Sequence, residues 1–170
     1  MLKSIAIAAV MLSGLLPVAL PAQAARTKDS YRALHSAGIG ISKQDNCDPY
    51  GRGWTAYYQP TQNHICISTL IYRYPKTLLQ VIAHESTHAA QDCKAGLANN
   101  RFAPLGVNTS GLTAQEEQYV ANERGQDLVI EREAYQLAHS PRKALTALMH
   151  FCNRRRGSVL ATNYQPNNEL

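Results

Sequence analysis

Residues 84–88, with the sequence His-Glu-Ser-Thr-His, combine groups that could bind a metal ion and transfer a proton. On an α-helix, positions i and i+4 share one face, so the imidazoles of His84 and His88 can bind the same ion. Glu85, beside the first histidine, can then act as general base on a water molecule at that ion. The chain has only six histidines in 170 residues, so chance rarely produces this spacing. The pattern indicates metal-dependent hydrolysis.

A catalytic zinc site requires a third protein ligand and an open coordination position. In one group of zinc peptidases, the metzincins, a glycine and a histidine follow the second motif histidine by three and six residues. Gln91 and Lys94 occupy those positions here, which excludes that group. No histidine lies between His88 and His139, so a third histidine ligand close in sequence is also excluded. A glutamate from a later helix is the simplest remaining choice.

Two glutamates of a later helical segment, Glu131 and Glu133, are candidates for this ligand. They lie about 200° apart around a helix, so only one of them can face the metal. The apolar residues one turn away from each glutamate are too similar to show which of the two faces the metal. Both therefore stay open on the residues alone, and the one that does not bind is expected to be an ordinary carboxylate on the helix surface.

Together, the His-Glu-x-x-His motif and the downstream segment Glu131-Arg-Glu-Ala resemble the gluzincin branch of the zincin metallopeptidases. The third ligand of that branch is a glutamate, commonly followed by alanine three residues later. The resemblance covers residues 55–138 and includes a hairpin before the metal helix. It implies a minimal zincin-like fold with one Zn²⁺ per chain. It also implies Glu131, in preference to Glu133, as the ligand that joins the two motif histidines.

A site of this kind favours hydrolysis of peptide bonds in a peptide or protein substrate. Zinc lowers the pKa of a bound water from about 15.7 towards about 7, and Glu85 is placed to accept the proton. Tyr135 and His139 are candidates to support the developing oxyanion, although Tyr135 could instead be a core aromatic residue. His64 could face the cleft from the hairpin, or lie on the surface across from a neighbouring strand.

Other groups near the motif could orient the ligands and the substrate. A metal-bound histidine usually donates its second ring N–H to a carboxylate or carbonyl oxygen. Gln91 and Asp92 are close enough in sequence to accept such a bond, or they are simply the polar end of the helix. An extended peptide could add to the edge of the hairpin sheet through backbone hydrogen bonds.

The sequence patterns predict an α+β fold that is mainly helical, with a small β-hairpin before the metal-binding helix. A short helix is expected around Ser30–Ala37, followed by irregular chain to residue 53, where glycine and proline are frequent. Residues 55–58 and 64–67 are β-prone, and the turn residues between them predict the hairpin.

Three further segments carry helix signals: residues 75–93, residues 113–139, and a last helix from Pro141. Thr113 and Glu116 form a capping-box pattern at the start of the second of these. That segment would measure roughly 40 Å at 1.5 Å per residue, which is long for a domain of this size. Gly125 could therefore kink or divide it. The tail from Gly157 is expected to be loosely ordered.

The first 24 residues have the pattern of a secretory signal peptide. Residues 5–20 are almost wholly apolar, and Ala22-Gln-Ala follows as a small-x-small cleavage site. A membrane anchor is the alternative, but glycine and proline interrupt the apolar run. We expect residues 25–170 to form a single zincin-like domain that is secreted or periplasmic and has no membrane span.

Four cysteines in the predicted mature chain suggest two disulfides in an oxidising compartment. Three pairings are possible. Cys47 with Cys66 would close a short region of turns, and Cys93 with Cys152 would connect two helical segments, so we favour this arrangement. A structural zinc site would need closely spaced pairs such as Cys-x-x-Cys, which the chain lacks.

The formal net charge is +5, and several basic residues cluster near the last helix, at Arg142, Lys143 and residues 154–156. We expect a solvated face there, with anionic envelope material as the alternative partner. Nucleic acid is a poor candidate, because no aromatic residues are interleaved. An exported zinc metallopeptidase is the leading hypothesis. The alternatives are a zinc-binding zincin-like scaffold that acts as a non-catalytic binding module, and a disulfide-stabilised protein without metal.

Overall fold

The computed structural model of the chain describes residues 21–48, 54–97, 101–122 and 127–163, with the backbone alone described at 21–25 and 154–163. These residues form a mixed α+β fold, as predicted. Its helices are α1 (Pro21–Ala37), α2 (Pro75–Ala95), α3 (Ala114–Asn122), α4 (Leu128–Ala138) and α5 (Pro141–Asn163). Its strands are β1 (Gly40–Gln44), β2 (Ala56–Gln59) and β3 (His64–Ser68).

The predicted signal peptide lies mostly at residues 1–20, outside the described residues. Helix α1 begins at Pro21, earlier than the expected start near Ser30, and it runs through the predicted cleavage site. Within the described part of the chain, no helix is both long and apolar enough to cross a membrane.

The sheet has the strand order β1-β3-β2. Strands β2 and β3 form the predicted antiparallel hairpin, in which Tyr57 lies opposite Cys66. Strand β1 pairs in parallel with β3, with Ile41 beside Ile65, although the sequence predicted irregular chain there. Because β1 is an edge strand without buried residues, it lacks the apolar alternation that would have revealed it.

Helix α2 is the central element and contacts α1, α4, α5 and β2. Pro75 occupies its first turn, and the N–H of Gly96 bonds the carbonyl of Asp92 at its end, close to the predicted bounds. Ile82 of α2 is fully buried in a core that also contains Ile65 of β3 and Leu148 of α5. The residues of the metal motif therefore stand on a helix that is packed on several sides.

The helical segment predicted over residues 113–139 contains two helices, α3 and α4, in agreement with the expected division of this long segment. Asp127 caps α4 by accepting a hydrogen bond from the N–H of Val129 at 2.9 Å. Gly125, the expected point of division, lies outside the described residues. The capping box at the start of α3 is present, with the N–H of Thr113 2.8 Å from Glu116 Oε2.

Both predicted disulfides are present, Cys47–Cys66 and Cys93–Cys152. The first joins the segment after β1 to strand β3, and the second joins α2 to α5. Disulfides are typical of proteins in oxidising compartments, so this chemistry indicates an extracellular or otherwise exported location. Helix α5 continues to Asn163, and residues 164–170 of the tail that was expected to be loosely ordered lie outside the described residues.

Candidate metal centre

Helix α2 presents both motif histidines on one face. The Nε2 atoms of His84 and His88 lie 3.1 Å apart, and their rings meet nearly edge to face with centroids separated by 4.8 Å. One helical turn separates the two residues, so the local geometry of α2 is sufficient to bring the two nitrogens together.

The third group comes from α4. Glu131 Oε2 lies 3.6 Å from His84 Nε2, and Glu131 Oε1 lies 3.5 Å from His88 Nε2. The three side chains form a group that could hold a metal ion, with their ligand atoms all within 4.8 Å of one another. Glu133, the alternative ligand, is not part of this group and points to the loop after α2.

The spacing of these atoms fits a small divalent ion. A tetrahedral zinc ion with bonds of 2.0 to 2.1 Å separates its ligand atoms by about 3.3 Å. The 3.1 Å between the two nitrogens is close to that value, and the Glu131 carboxylate approaches each nitrogen with a different oxygen, at 3.5 and 3.6 Å. Two imidazoles and one carboxylate are also a donor set that catalytic zinc sites use, and they leave a fourth position for water or substrate.

Burial keeps the imidazole of His84 in the form that binds metal. His88 and Glu131 are buried, and His84 is nearly so. Burial, reinforced by the neighbouring His88, holds the pKa of His84 well below its usual value near 6.5. A neutral imidazole has a free nitrogen lone pair, so His84 is ready to coordinate an ion without first losing a proton.

The metal group lies in a cleft of about 500 Å³. One wall is the segment of β2, a second is α2, and the others come from α3, α4 and the loop before α3. Glu85, the predicted general base, is buried and lines this cleft beside His84. Aromatic rings contribute much of the lining, from Trp54, Tyr57, Tyr58, Phe102, Tyr119 and Tyr135.

The two predicted oxyanion candidates both line the cleft. The ring of Tyr135 packs against His84, with the centroids 4.7 Å apart. His139 is half-exposed, and its Nε2 pairs with Glu116 Oε1 at 2.7 Å. His64 does not line the cleft: its side chain is half-buried, and its Nε2 lies 2.8 Å from the hydroxyl oxygen of Ser42 on the neighbouring strand β1.

Residues 26–153 match the model of a protein family described as a domain of unknown function, DUF8637. The chain belongs to this family. The matched segment contains the complete metal group and both disulfides. No curated protein and no solved structure matches the chain.

In this DUF8637 member, Gln91 contacts one of the candidate metal ligands, as its position near the motif predicted. Its Oε1 lies 2.9 Å from His88 Nδ1. Asp92, the other candidate, accepts a hydrogen bond from the hydroxyl of Tyr58 and so joins α2 to β2. Burial and this bond raise the pKa of Tyr58 above its usual value, so the hydroxyl stays a donor.

Two features of the site were not anticipated. Glu133 was expected on the helix surface if it did not bind metal, but it is buried and accepts hydrogen bonds from the loop at residues 105–107. Phe102 of the same loop packs edge to face on His88, with centroids 5.7 Å apart. No short motif predicts either of these roles, because both depend on where the loop folds back.

Proposed function

We propose that this protein is an exported zinc metallopeptidase. The observation that carries the proposal is the convergence of His84, His88 and Glu131, whose ligand atoms lie within 4.8 Å of one another, beside Glu85 in an accessible cleft. The resemblance of the His-Glu-x-x-His motif and its downstream glutamate to the gluzincin branch of the zincins supports the same reading. The disulfides and the signal-peptide pattern support secretion or a periplasmic location.

The chemistry assigned to the chain is general base catalysis. A zinc ion, when bound, supplies Lewis acidity and makes water a nucleophile near neutral pH. The Glu85 carboxylate accepts the proton from the attacking water and passes it to the leaving amine. Because Glu85 is adjacent to His84 on α2, the same helix that holds two ligands also positions the base.

The edge of β2 supports the binding of an extended peptide. In the described sheet β2 pairs only with β3, and the residues from Trp54 to Pro60 line the cleft. The N–H of Ser68 bonds the carbonyl of Thr55, so the residue pair containing Ala56 is a non-hydrogen-bonded pair. The backbone N–H and C=O of Ala56 consequently point away from β3, where a substrate strand can bind them.

The cleft chemistry favours substrates with apolar or aromatic side chains and no negative charge. Among the described lining residues there is no lysine or arginine, although the chain has 17 of them. The three acidic lining residues are Glu85, Glu116 and Glu131. Away from the zinc, an acidic side chain of a peptide would therefore find no lysine or arginine in the described lining to pair with, whereas a neutral or basic one needs none.

Tyr135 is the better of the two candidates for oxyanion support. Its ring packs directly on His84, whereas His139 is the more exposed of the two and pairs with Glu116 on α3. A phenol hydroxyl near the site could donate a hydrogen bond to the oxygen on which charge develops.

The deciding experiment compares Glu85→Gln with the wild-type protein. We expect both to hold about one zinc ion per chain, and we expect peptide cleavage by Glu85→Gln to fall roughly 10²- to 10⁴-fold. Glu117→Gln is the matched control, since Glu117 lies on α3 and pairs with Arg132 outside the cleft lining. A zinc-loaded wild-type protein that cleaves no member of a broad peptide library would overturn the peptidase and leave the non-catalytic binding module.

A further inference from the structure

Glu133 is buried in a site made entirely of hydrogen-bond donors. Only 1% of the residue is exposed. Its Oε1 accepts from the backbone N–H groups of Gly106 at 2.6 Å and Val107 at 2.9 Å. Its Oε2 accepts from the N–H of Leu105 at 2.6 Å and from Gln91 Nε2 at 3.0 Å. A carboxylate satisfies all four donors, because each of its oxygens can accept two hydrogen bonds.

This arrangement decides which way the amide of Gln91 faces. Gln91 is fully buried, and its Nε2 donates both to Glu133 Oε2 and to the carbonyl oxygen of Ile130, each at 3.0 Å. Both partners can only accept, so a flipped amide would place two acceptors against its oxygen. The Gln91 Oε1 atom must therefore face His88 Nδ1, 2.9 Å away.

The amide oxygen in turn decides the tautomer of His88. An amide oxygen only accepts, so Nδ1 of His88 must carry the proton. In the neutral ring, Nε2 then has the lone pair, and this is the atom that lies 3.1 Å from His84 Nε2 and 3.5 Å from Glu131 Oε1. The ring is held in the form that coordinates an ion through Nε2.

We propose that Glu133 is a positioning residue for the metal centre: through Gln91 it fixes the tautomer and the ring orientation of the ligand His88. The inference rests on the metal-binding part of the proposed function and is independent of peptide cleavage. Glu131 and Glu133 then have complementary roles at the imidazole of His88: Glu131 lies beside its Nε2, and Glu133 acts through Gln91 on its Nδ1.

The same contacts couple the loop at residues 101–107 to the metal centre. The loop donates three backbone N–H groups to Glu133, and the N–H of Ala103 bonds the backbone carbonyl of Gln91 at 3.1 Å. Phe102 of this loop packs on the His88 ring. Displacing the loop would therefore remove the backbone donors that hold the Glu133 carboxylate, and this carboxylate orients Gln91. It would also remove the aromatic contact on His88.

The test uses two variants that keep nearly the same side-chain size: Glu133→Gln, which removes the charge and replaces one acceptor oxygen by a donor, and Gln91→Met, which removes both hydrogen-bonding groups of the amide. We expect each to weaken zinc binding by about 10- to 100-fold, measured by competition with a chromogenic chelator. The matched control is Gln136→Met. Gln136 also lies on α4 and holds the loop, through the N–H of Gly111 at 3.1 Å, but it does not contact a metal ligand in the described network. The control should keep wild-type affinity.

A second measurement on the wild-type protein does not depend on whether a variant folds. Long-range ¹H–¹⁵N spectra report which imidazole nitrogen is protonated, and the His88 signals can be assigned by their loss in His88→Gln. We expect a protonated Nδ1 in both the metal-free and the zinc-loaded protein. In a folded Gln91→Met variant, the metal-free ring should lose this strict preference.

The outcomes separate this inference from the proposed function. A wild-type His88 protonated at Nε2 without metal overturns the positioning role, as does wild-type zinc affinity in both folded variants. Failure of the wild-type protein to bind zinc overturns the metal centre itself. Tight zinc binding with no peptide cleavage overturns the peptidase and leaves the role of Glu133 intact.

Discussion

Glu131 Oε1 lies 3.5 Å from His88 Nε2, although the two residues are 43 positions apart and stand on different helices. The contact exists because α4 packs directly on α2. The metal group thus depends on two levels of structure: one helical turn brings the histidines together, and helix packing supplies the carboxylate. Weakening either level should weaken metal binding.

Replacing the glutamate ligand should remove more affinity than replacing a group that only orients a ligand. For Glu131→Ala we expect zinc binding to weaken by more than the roughly 10- to 100-fold typical of outer-sphere changes. Chelator competition and metal analysis of the purified protein measure this. Glu117→Ala is the control, because it removes a carboxylate that pairs with Arg132 instead of facing the metal. Unchanged zinc content in Glu131→Ala would disprove the ligand assignment.

The Cys93–Cys152 disulfide should stabilise both the fold and the metal site. It closes a 59-residue separation, for which loss of chain entropy in the unfolded state predicts about 4 kcal/mol of stability. Cys93 is five residues after His88 on α2, so the double serine variant should also bind zinc more weakly. Denaturant unfolding and zinc affinity are the two measurements.

The other disulfide provides the comparison. Cys47–Cys66 closes a 19-residue separation and should contribute about 3 kcal/mol, but it anchors β3 and not the metal helix. We expect its double serine variant to lose stability while keeping zinc affinity in the folded protein. If both double serine variants retain zinc equally well, the prediction that the Cys93–Cys152 bond supports the metal site is wrong.

Adding a positive charge to the cleft should change which peptides are cleaved. Gln80 lines the cleft one helical turn before His84. In Gln80→Lys we expect kcat/KM for acidic peptides to rise about fivefold relative to neutral ones, the equivalent of roughly 1 kcal/mol for a charge pair near a surface. Gln118→Lys on the exposed side of α3 adds the same charge outside the cleft lining and should leave the ratio unchanged.

Removing one outward backbone donor from β2 should weaken substrate binding. The N–H of Ala56 points away from β3, so Ala56→Pro deletes it without breaking a bond of the β2–β3 ladder. A single hydrogen bond contributes about 1 kcal/mol, so KM should rise roughly fivefold with zinc content unchanged. Ala56→Val adds bulk but keeps the N–H. A KM that rises equally in both variants would point to crowding and contradict strand addition.

Local patterns predicted the elements whose signals lie within a few residues. Pro75 and Gly96 bound α2 as expected, and turn residues between two β-prone runs gave the β2–β3 hairpin. Strand β1 was missed because it gains its stability from pairing with β3 and not from an apolar face of its own. The break between α3 and α4 was predicted only approximately, near Gly125. The start of α4 depends on Asp127, which caps the helix through a hydrogen bond that only the folded chain shows.

The sequence alone determined that His84 and His88 would share one face of a helix, because they are one helical turn apart, and that Glu85 would be adjacent to the first of them. Only the tertiary structure decided between Glu131 and Glu133. The two are on opposite sides of α4, and the rotation of that helix is set by how it packs on α2 and by the loop amides that bind Glu133. Long-range packing, which periodicity does not encode, therefore completed the metal group.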